Sequence, residues 1–287
     1  MKKPISPFIQ YFTGVIALTA AFIGFWSSLP VLSRISEAPV RTVINPFASI
    51  IIEAKAVFVY EPDNDRILYA KEESRRLPIA SLTKLMTSLT VSELLPDSTI
   101  ISLSRRHYRL KDLVDLTLVS SSNQGALALA TAAEKNLGRD FVAEMNIKAK
   151  SLNLNMTTFT NSTGLDLDDG QAGSYSSAYD IAHLFSHILL VRPELLQATK
   201  FEEIEAPTVE GLRHRFQNTN EIIRDLPGLL GSKTGFTDVA EGNLVIAFDR
   251  GLNQPVVIVV LGSTEHGRFS DIKQLVEATM KTFIQPV

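Results

Sequence analysis

The sequence predicts an α+β domain in which the two ends of the chain build one antiparallel sheet around an inserted helical region. Strand-like apolar runs occur near residue 60 and again after residue 228, whereas the stretch between them has its apolar residues at helical spacing. The 287 residues are 45% hydrophobic and 21% charged, enough for one large core plus an additional segment.

The additional segment is N-terminal. Lys2 and Lys3 precede a run from Tyr11 to Leu32 without a charged residue, long enough for a bilayer-crossing helix of about 20 residues. Its most apolar part, Gly14 to Trp26, has the length of a signal-peptide core. No clear A-x-A cleavage site follows, however, and Trp26 suits an interfacial anchor. Residues 1–33 are therefore expected to be a single-pass membrane anchor. The lysines would then lie in the cytoplasm and the rest of the chain outside; cleavage would instead give a secreted or periplasmic protein. Residues 34–50 carry Pro39 and Pro46 and lack a clean period, so they read as a tether ahead of a folded domain over 51–287.

AVFVY (56–60) and RILYA (66–70) flank the turn-rich EPDND and predict a hairpin. Helical spacing then governs 81–95, 110–119, 123–137, 139–151 and 177–190, with Leu82, Leu85, Met86 and Leu89 forming the stripe of the first. Strands return in GLLGSKTG (228–235), NLVIAFD (243–249) and PVVIVVLG (255–262), the last two joined by the turn-like RGLNQ. A closing helix over 270–284 places Ile272, Leu275, Val276, Met280 and Phe283 on one face.

Composition excludes several functions. A net charge of −3 gives no general electrostatic reason to bind nucleic acid, and the absence of cysteine removes disulfides, thiolate metal sites and a cysteine nucleophile. His183 and His187 are spaced i, i+4, but no HExxH accompanies them. Asp166, Asp168, Asp169 and Gly170 lack the later ligands of a calcium loop. The histidines are expected in packing or at the surface, the aspartates in an acidic surface loop, and no metal or cofactor is expected.

The chemistry-bearing signal is an ordered set of three short motifs: SLTK at 81–84, SSN at 121–123 and KTG at 233–235. Each alone is weak, since Ser270 to Lys273 is a second SxxK and Ser151 to Asn153 a second SxN. Ser81 follows Pro78 and Ala80 at the expected start of a helix, where backbone N–H groups favour a developing oxyanion. Lys84, one turn on, is placed to act as its base. An ordinary lysine is neutral in only about 4 of 10,000 molecules at pH 7, and bringing it near neutrality costs about 4 kcal/mol. A second cation, Lys233, together with partial desolvation is expected to supply that term. Ser121 is a candidate proton relay and Asn123 a clamp on Lys84 or the substrate amide. Thr234 offers a hydroxyl to a carboxylate, and Gly235 allows close backbone approach. The N–H of Phe236 is expected to join that of Ser81 in an oxyanion hole.

At these residues the chain resembles the serine-type D-alanyl-D-alanine carboxypeptidases, the low-molecular-mass penicillin-binding proteins. PIASLTKLMTSL (78–89), LVSSSNQGALALA (118–130), NSTGLD (161–166), SSAYDIAHL (176–184), GSKTGFTD (231–238) and GSTEHGRFSDIKQL (262–275) carry the likeness over roughly Ala54 to Phe283. The resemblance implies a β-lactamase/transpeptidase-like fold, with a five-stranded antiparallel sheet flanked by helices. It implies Ser81 as the acylated nucleophile, Lys84 as its base, Ser121 and Asn123 as the second motif, and Lys233, Thr234 and Gly235 as the third. It also implies that Arg268 receives the peptide carboxylate together with Thr234. The expected reaction removes the terminal D-alanine of peptidoglycan stem peptides, and β-lactam antibiotics are expected covalent inhibitors. A cross-link-cleaving endopeptidase and a non-catalytic wall-binding protein are the alternatives. A β-lactamase is disfavoured by the lack of an ExxLN segment. Departures from the family pattern are a short interval between Ser81 and Ser121, Gln124 and Gly125 where Asp-Ala is common, and Glu241 where glycine is frequent.

Overall fold

The computed structural model describes residues 45–284, so the expected membrane anchor and most of the tether lie outside the described residues. Strands β1 (Ala56–Glu61) and β2 (Arg66–Lys71) form the predicted hairpin, turned at Asp65 with φ 50°. After β3 (Leu77–Pro78) and a 3-10 turn at Ala80–Leu82, helix α1 (Thr83–Leu94) begins. A hairpin of β4 (Ile100–Leu103) and β5 (Arg106–Arg109) leads into α2 (Leu110–Val119), α3 (Asn123–Leu137) and α4 (Phe141–Ser151). The chain continues through β6 (Thr158–Phe159), β7 (Ser174–Ser176), α5 (Ala178–Val191) and α6 (Glu194–Gln197). A third hairpin, β8 (Glu203–Pro207) with β9 (Arg213–Gln217), precedes β10 (Leu229–Thr237), β11 (Glu241–Asp249) and β12 (Pro255–Ser263). Helix α7 (Gly267–Ile284) closes the fold.

The five-stranded sheet runs β10-β11-β12-β1-β2 with antiparallel neighbours. Its two halves join where β1 meets β12, Val59 lying opposite Ile258. One sheet face, with Phe58, Val245, Val257 and Val259, packs against Leu82, Leu85, Phe141 and Phe185 of the helical insertion. The other face, with Val57, Ile246, Ile258 and Val260, packs against Ile272 and Leu275 of α7. Covering on both faces explains why NLVIAFD and PVVIVVLG read as unbroken apolar runs rather than alternating ones.

Of the tether expected over 34–50, residues 45–50 are described and lie against the folded domain. Phe47 is 5% exposed and stacks on Tyr69 with ring centroids 5.1 Å apart, which draws residues ahead of 51 into the folded domain. Both small hairpins and the three-stranded β3-β7-β6 sheet lie outside the strands predicted above. Their segments, such as RHYR and RHRFQ, are short and charged and carry little apolar alternation to read. Strand β10 stands at one edge of the main sheet, so the third motif has no neighbouring strand on its outer side.

Candidate active site

The turn that carries Ser81 is held under strain by its neighbours. Ala80 adopts φ 46°, a left-handed conformation costing about 1–2 kcal/mol for a residue with a side chain. Two contacts hold it: Thr83 Oγ1 donates to the Ala80 carbonyl at 2.7 Å, and Gly164 packs so closely that a Cβ there would lie 1.9 Å from the Ala80 oxygen. The result is a serine presented just ahead of α1 instead of buried within it.

One turn on, Lys84 is 0% exposed, and its Nζ lies 2.7 Å from Ser81 Oγ, 2.8 Å from Asn123 Oδ1 and 2.7 Å from the Thr163 carbonyl. The last two acceptors have no hydrogen to give, so they take two N–H bonds of the amine. When Lys84 is neutral it has only those two hydrogens, and its lone pair then points at the Ser81 hydroxyl. That is the geometry of a general base.

Burial is what makes neutrality accessible. Desolvation lowers the Lys84 pKa from 10.5 to about 7. Of the two causes expected, the Lys233 charge and desolvation, burial accounts for the shift of Lys84. Lys233, 1% exposed, is itself held well below the ordinary lysine value, first by burial and then by the charges of Lys84 and Arg268. Its Nζ donates to Ser121 Oγ at 2.8 Å and to the Thr234 carbonyl at 2.8 Å. Ser121 has φ 55°, which turns the chain between α2 and α3 and leaves Ser122 to cap α3 through the Gly125 N–H at 3.0 Å. Asn123 is thereby fixed as the first residue of α3.

On β10 the Ser232 N–H leaves the sheet edge to reach Thr199 Oγ1 at 3.0 Å. Strand periodicity sends the Thr234 and Phe236 N–H groups to the same outer edge. Gly235 lies against the Ser81 turn: an added Cβ would be 2.8 Å from the Ile79 carbonyl and 3.2 Å from the Ser81 nitrogen. Arg268, 6% exposed, donates through Nη1 to the Gly235 carbonyl at 2.9 Å and lies over the rings of Phe269 and Phe236. The Thr234 hydroxyl pairs with Thr219 Oγ1 at 2.5 Å.

The structure thus gathers Ser81, Lys84, Ser121, Asn123, Lys233, Thr234, Gly235, Phe236 and Arg268 around one cleft, from four separate parts of the chain. Sequence reasoning gave no role to the Thr163 carbonyl or to Thr219. The NSTG stretch is visible as a motif, but a backbone acceptor leaves no residue signature. The acidic loop is exposed at Asp168, Asp169 and Gly170, and Asp166 anchors it by accepting from Thr237 Oγ1 at 2.9 Å and from the Val239 N–H at the end of β10. The second SxxK is unrelated to the cleft, since Ser270 Oγ donates to the Gly267 carbonyl and Lys273 pairs with Asp225 at 2.5 Å. Gly125 has a steric reason, because a Cβ there would meet Thr117 Oγ1 at 2.2 Å. Glu241 stays left-handed at φ 56° and pairs with Lys55 at 2.6 Å.

The sequence profile of the D-alanyl-D-alanine carboxypeptidase family matches residues 42–102 and 94–265. The chain is 29% identical over 252 residues to the D-alanyl-D-alanine carboxypeptidase DacF of Bacillus subtilis, covering 78% of this chain and 61% of that protein. It is 27% identical over 245 residues to the D-alanyl-D-alanine endopeptidase of Escherichia coli, covering 78% of this chain and 76% of that protein. Among solved structures, the ampicillin-bound penicillin-binding protein D2 of Listeria monocytogenes superposes with a TM-score of 0.71 at 31% identity, covering 80% of this chain and 98% of that one.

Proposed function

The chain belongs to the D-alanyl-D-alanine carboxypeptidase family, and from that premise we propose that it is a serine-type D-Ala-D-Ala carboxypeptidase acting on peptidoglycan stem peptides. The observation that carries the reading is the neutralisable, fully buried Lys84 with two carbonyl acceptors on its nitrogen and its third direction on Ser81 Oγ. Lys84 takes the Ser81 proton as Oγ attacks the carbonyl carbon of the terminal peptide bond. The N–H groups of Ser81 and Phe236 stabilise the oxyanion, a donor of this kind contributing about 3 kcal/mol in the transition state. The C–N bond breaks as the leaving amine takes a proton back, through Ser121 or from Lys84, and D-alanine departs. Water then hydrolyses the ester on Ser81, and β-lactams acylate the same oxygen.

A fluorescent penicillin should label the protein, and Ser81→Ala should abolish both the label and D-alanine release from a pentapeptide. Labelling that persists in Ser81→Ala contradicts the assignment of the nucleophile. The same assay on a cross-linked dimer separates the D,D-endopeptidase reading, which the similarity to the Escherichia coli endopeptidase supports.

The protonation state of Lys84 sets the pH profile. Because the base must be neutral and its pKa is about 7, the acylation rate should reach half its plateau near pH 7. It should fall about tenfold per pH unit well below that. Stopped-flow acylation between pH 5 and 9 tests this, and a flat profile down to pH 5 contradicts a lysine base.

A further inference from the structure

Thr234 is the hydroxyl that the proposed reaction turns toward the carboxylate of the peptide, and its side-chain partner is Thr219 Oγ1 at 2.5 Å. Thr219 is held from both sides. Its own N–H donates to the Val119 carbonyl at 3.1 Å, at the end of α2 and close to Ser121. The preceding Asn218 donates through Nδ2 to the carbonyls of Thr199 and Phe201 at 3.0 Å each, and the following Asn220 is 3% exposed. Thr199 in turn accepts from the Ser232 N–H on β10. The Thr219 hydroxyl is therefore set against Thr234 by backbone contacts to both walls of the cleft.

Two facing hydroxyls carry two hydrogens, and one of these lies in the bond between them. If Thr234 donates to Thr219, Thr234 presents only lone pairs to an incoming carboxylate, which is repulsive. If Thr219 donates, Thr234 keeps its hydrogen for the carboxylate, and an O–H group that accepts a hydrogen bond is a stronger donor. A carboxylate selects the second arrangement, and a neutral carboxamide, which offers a donor as well as an acceptor, does not.

We infer that Thr219 is a positioning residue for recognition of the substrate's terminal carboxylate, acting by donating to Thr234 and so fixing and strengthening the Thr234 hydroxyl as a donor. The inference rests on the carboxypeptidase reading and extends it to the selection of free-acid over amidated peptide ends.

The test compares a peptide ending in D-Ala-D-Ala as free acid with the same peptide as its C-terminal amide. In Thr219→Val the ratio of kcat/KM for acid over amide should fall about 3- to 10-fold, through KM for the acid, with kcat for the acid changed less. Thr219→Ser should restore the wild-type ratio. The ratio is internal to each preparation, so partial loss of folded protein does not move it, and Thr219→Ala supplies the same comparison if the valine variant does not fold. An unchanged ratio in the valine and alanine variants, with wild-type Ser81 still labelled by penicillin, overturns the role of Thr219 alone. Absence of penicillin labelling in the wild-type protein overturns the carboxypeptidase reading and this inference together.

Discussion

Replacing Lys84 with methionine is expected to slow acylation of Ser81 by about 100- to 10,000-fold, the usual contribution of a general base, while making the folded protein more stable. At pH 7 the unfolded chain carries Lys84 protonated, whereas the folded pKa of about 7 leaves it only half so. Folding with that lysine therefore costs about 4 kcal/mol, from the distance between the two pKa values. Methionine has similar length and no charge. It forfeits the hydrogen bonds to Asn123 Oδ1 and the Thr163 carbonyl, a loss of about 2 kcal/mol. The net expectation is a gain of about 2 kcal/mol at pH 7, read by thermal or denaturant unfolding of Lys84→Met against wild type.

The sign of the pH dependence follows from the depressed folded pKa. The unfolded chain holds one more proton than the folded one between pH 7 and about 10.5, so wild-type stability rises with pH across that window. The advantage of Lys84→Met is largest below pH 7 and shrinks as pH rises toward 10.5. A variant both less active and less stable at pH 7 would mean that the hydrogen bonds outweigh the desolvation of the amine.

Gly235→Ala is expected to lower kcat by about 100- to 1,000-fold, the scale of losing one oxyanion donor. The strain is not conformational, because Gly235 is absent from the left-handed residues of the chain. It is a collision: the new methyl would stand 2.8 Å from the Ile79 carbonyl and 3.2 Å from the Ser81 nitrogen, both backbone atoms of the nucleophile turn. Either β10 retreats, carrying the Phe236 N–H away from Ser81, or the turn around Ala80 shifts and moves Oγ off Lys84. Both routes damage the transition state more than substrate binding, and overpacking of this kind costs about 1–3 kcal/mol of stability. Steady-state kinetics with D-alanine release reads the effect. A kcat within threefold of wild type would show that the turn yields at no cost to the oxyanion site.

Much of the fold was legible because its signals are local. The helices expected over 110–119 and 123–137 have those ends in the structure, since amphipathic spacing lies within the segments themselves. The β4-β5 and β8-β9 hairpins were missed because their residues are mostly charged or exposed, leaving pairing without a pattern. In the site, Ser81, Lys84, Asn123 and Lys233 were legible as side chains in ordered motifs. Thr163 was not, because it contributes a carbonyl that any residue possesses. Thr219 was not, because its role exists only beside Thr234.

Which side chains can do the chemistry, their order along the chain, and the main helices and strands that carry them are all legible locally. Periodicity, caps and short motifs are properties of neighbouring residues. How burial lowers the Lys84 pKa, which contacts leave the third direction of its nitrogen on Ser81, and why Gly235 lacks room for a side chain all arise from tertiary packing. The bonds concerned join residues far apart in the chain, 79 positions from Lys84 to Thr163 and 112 from Ser121 to Lys233. Desolvation is likewise a property of everything packed around an atom, so it comes into being only when those distant segments close over it.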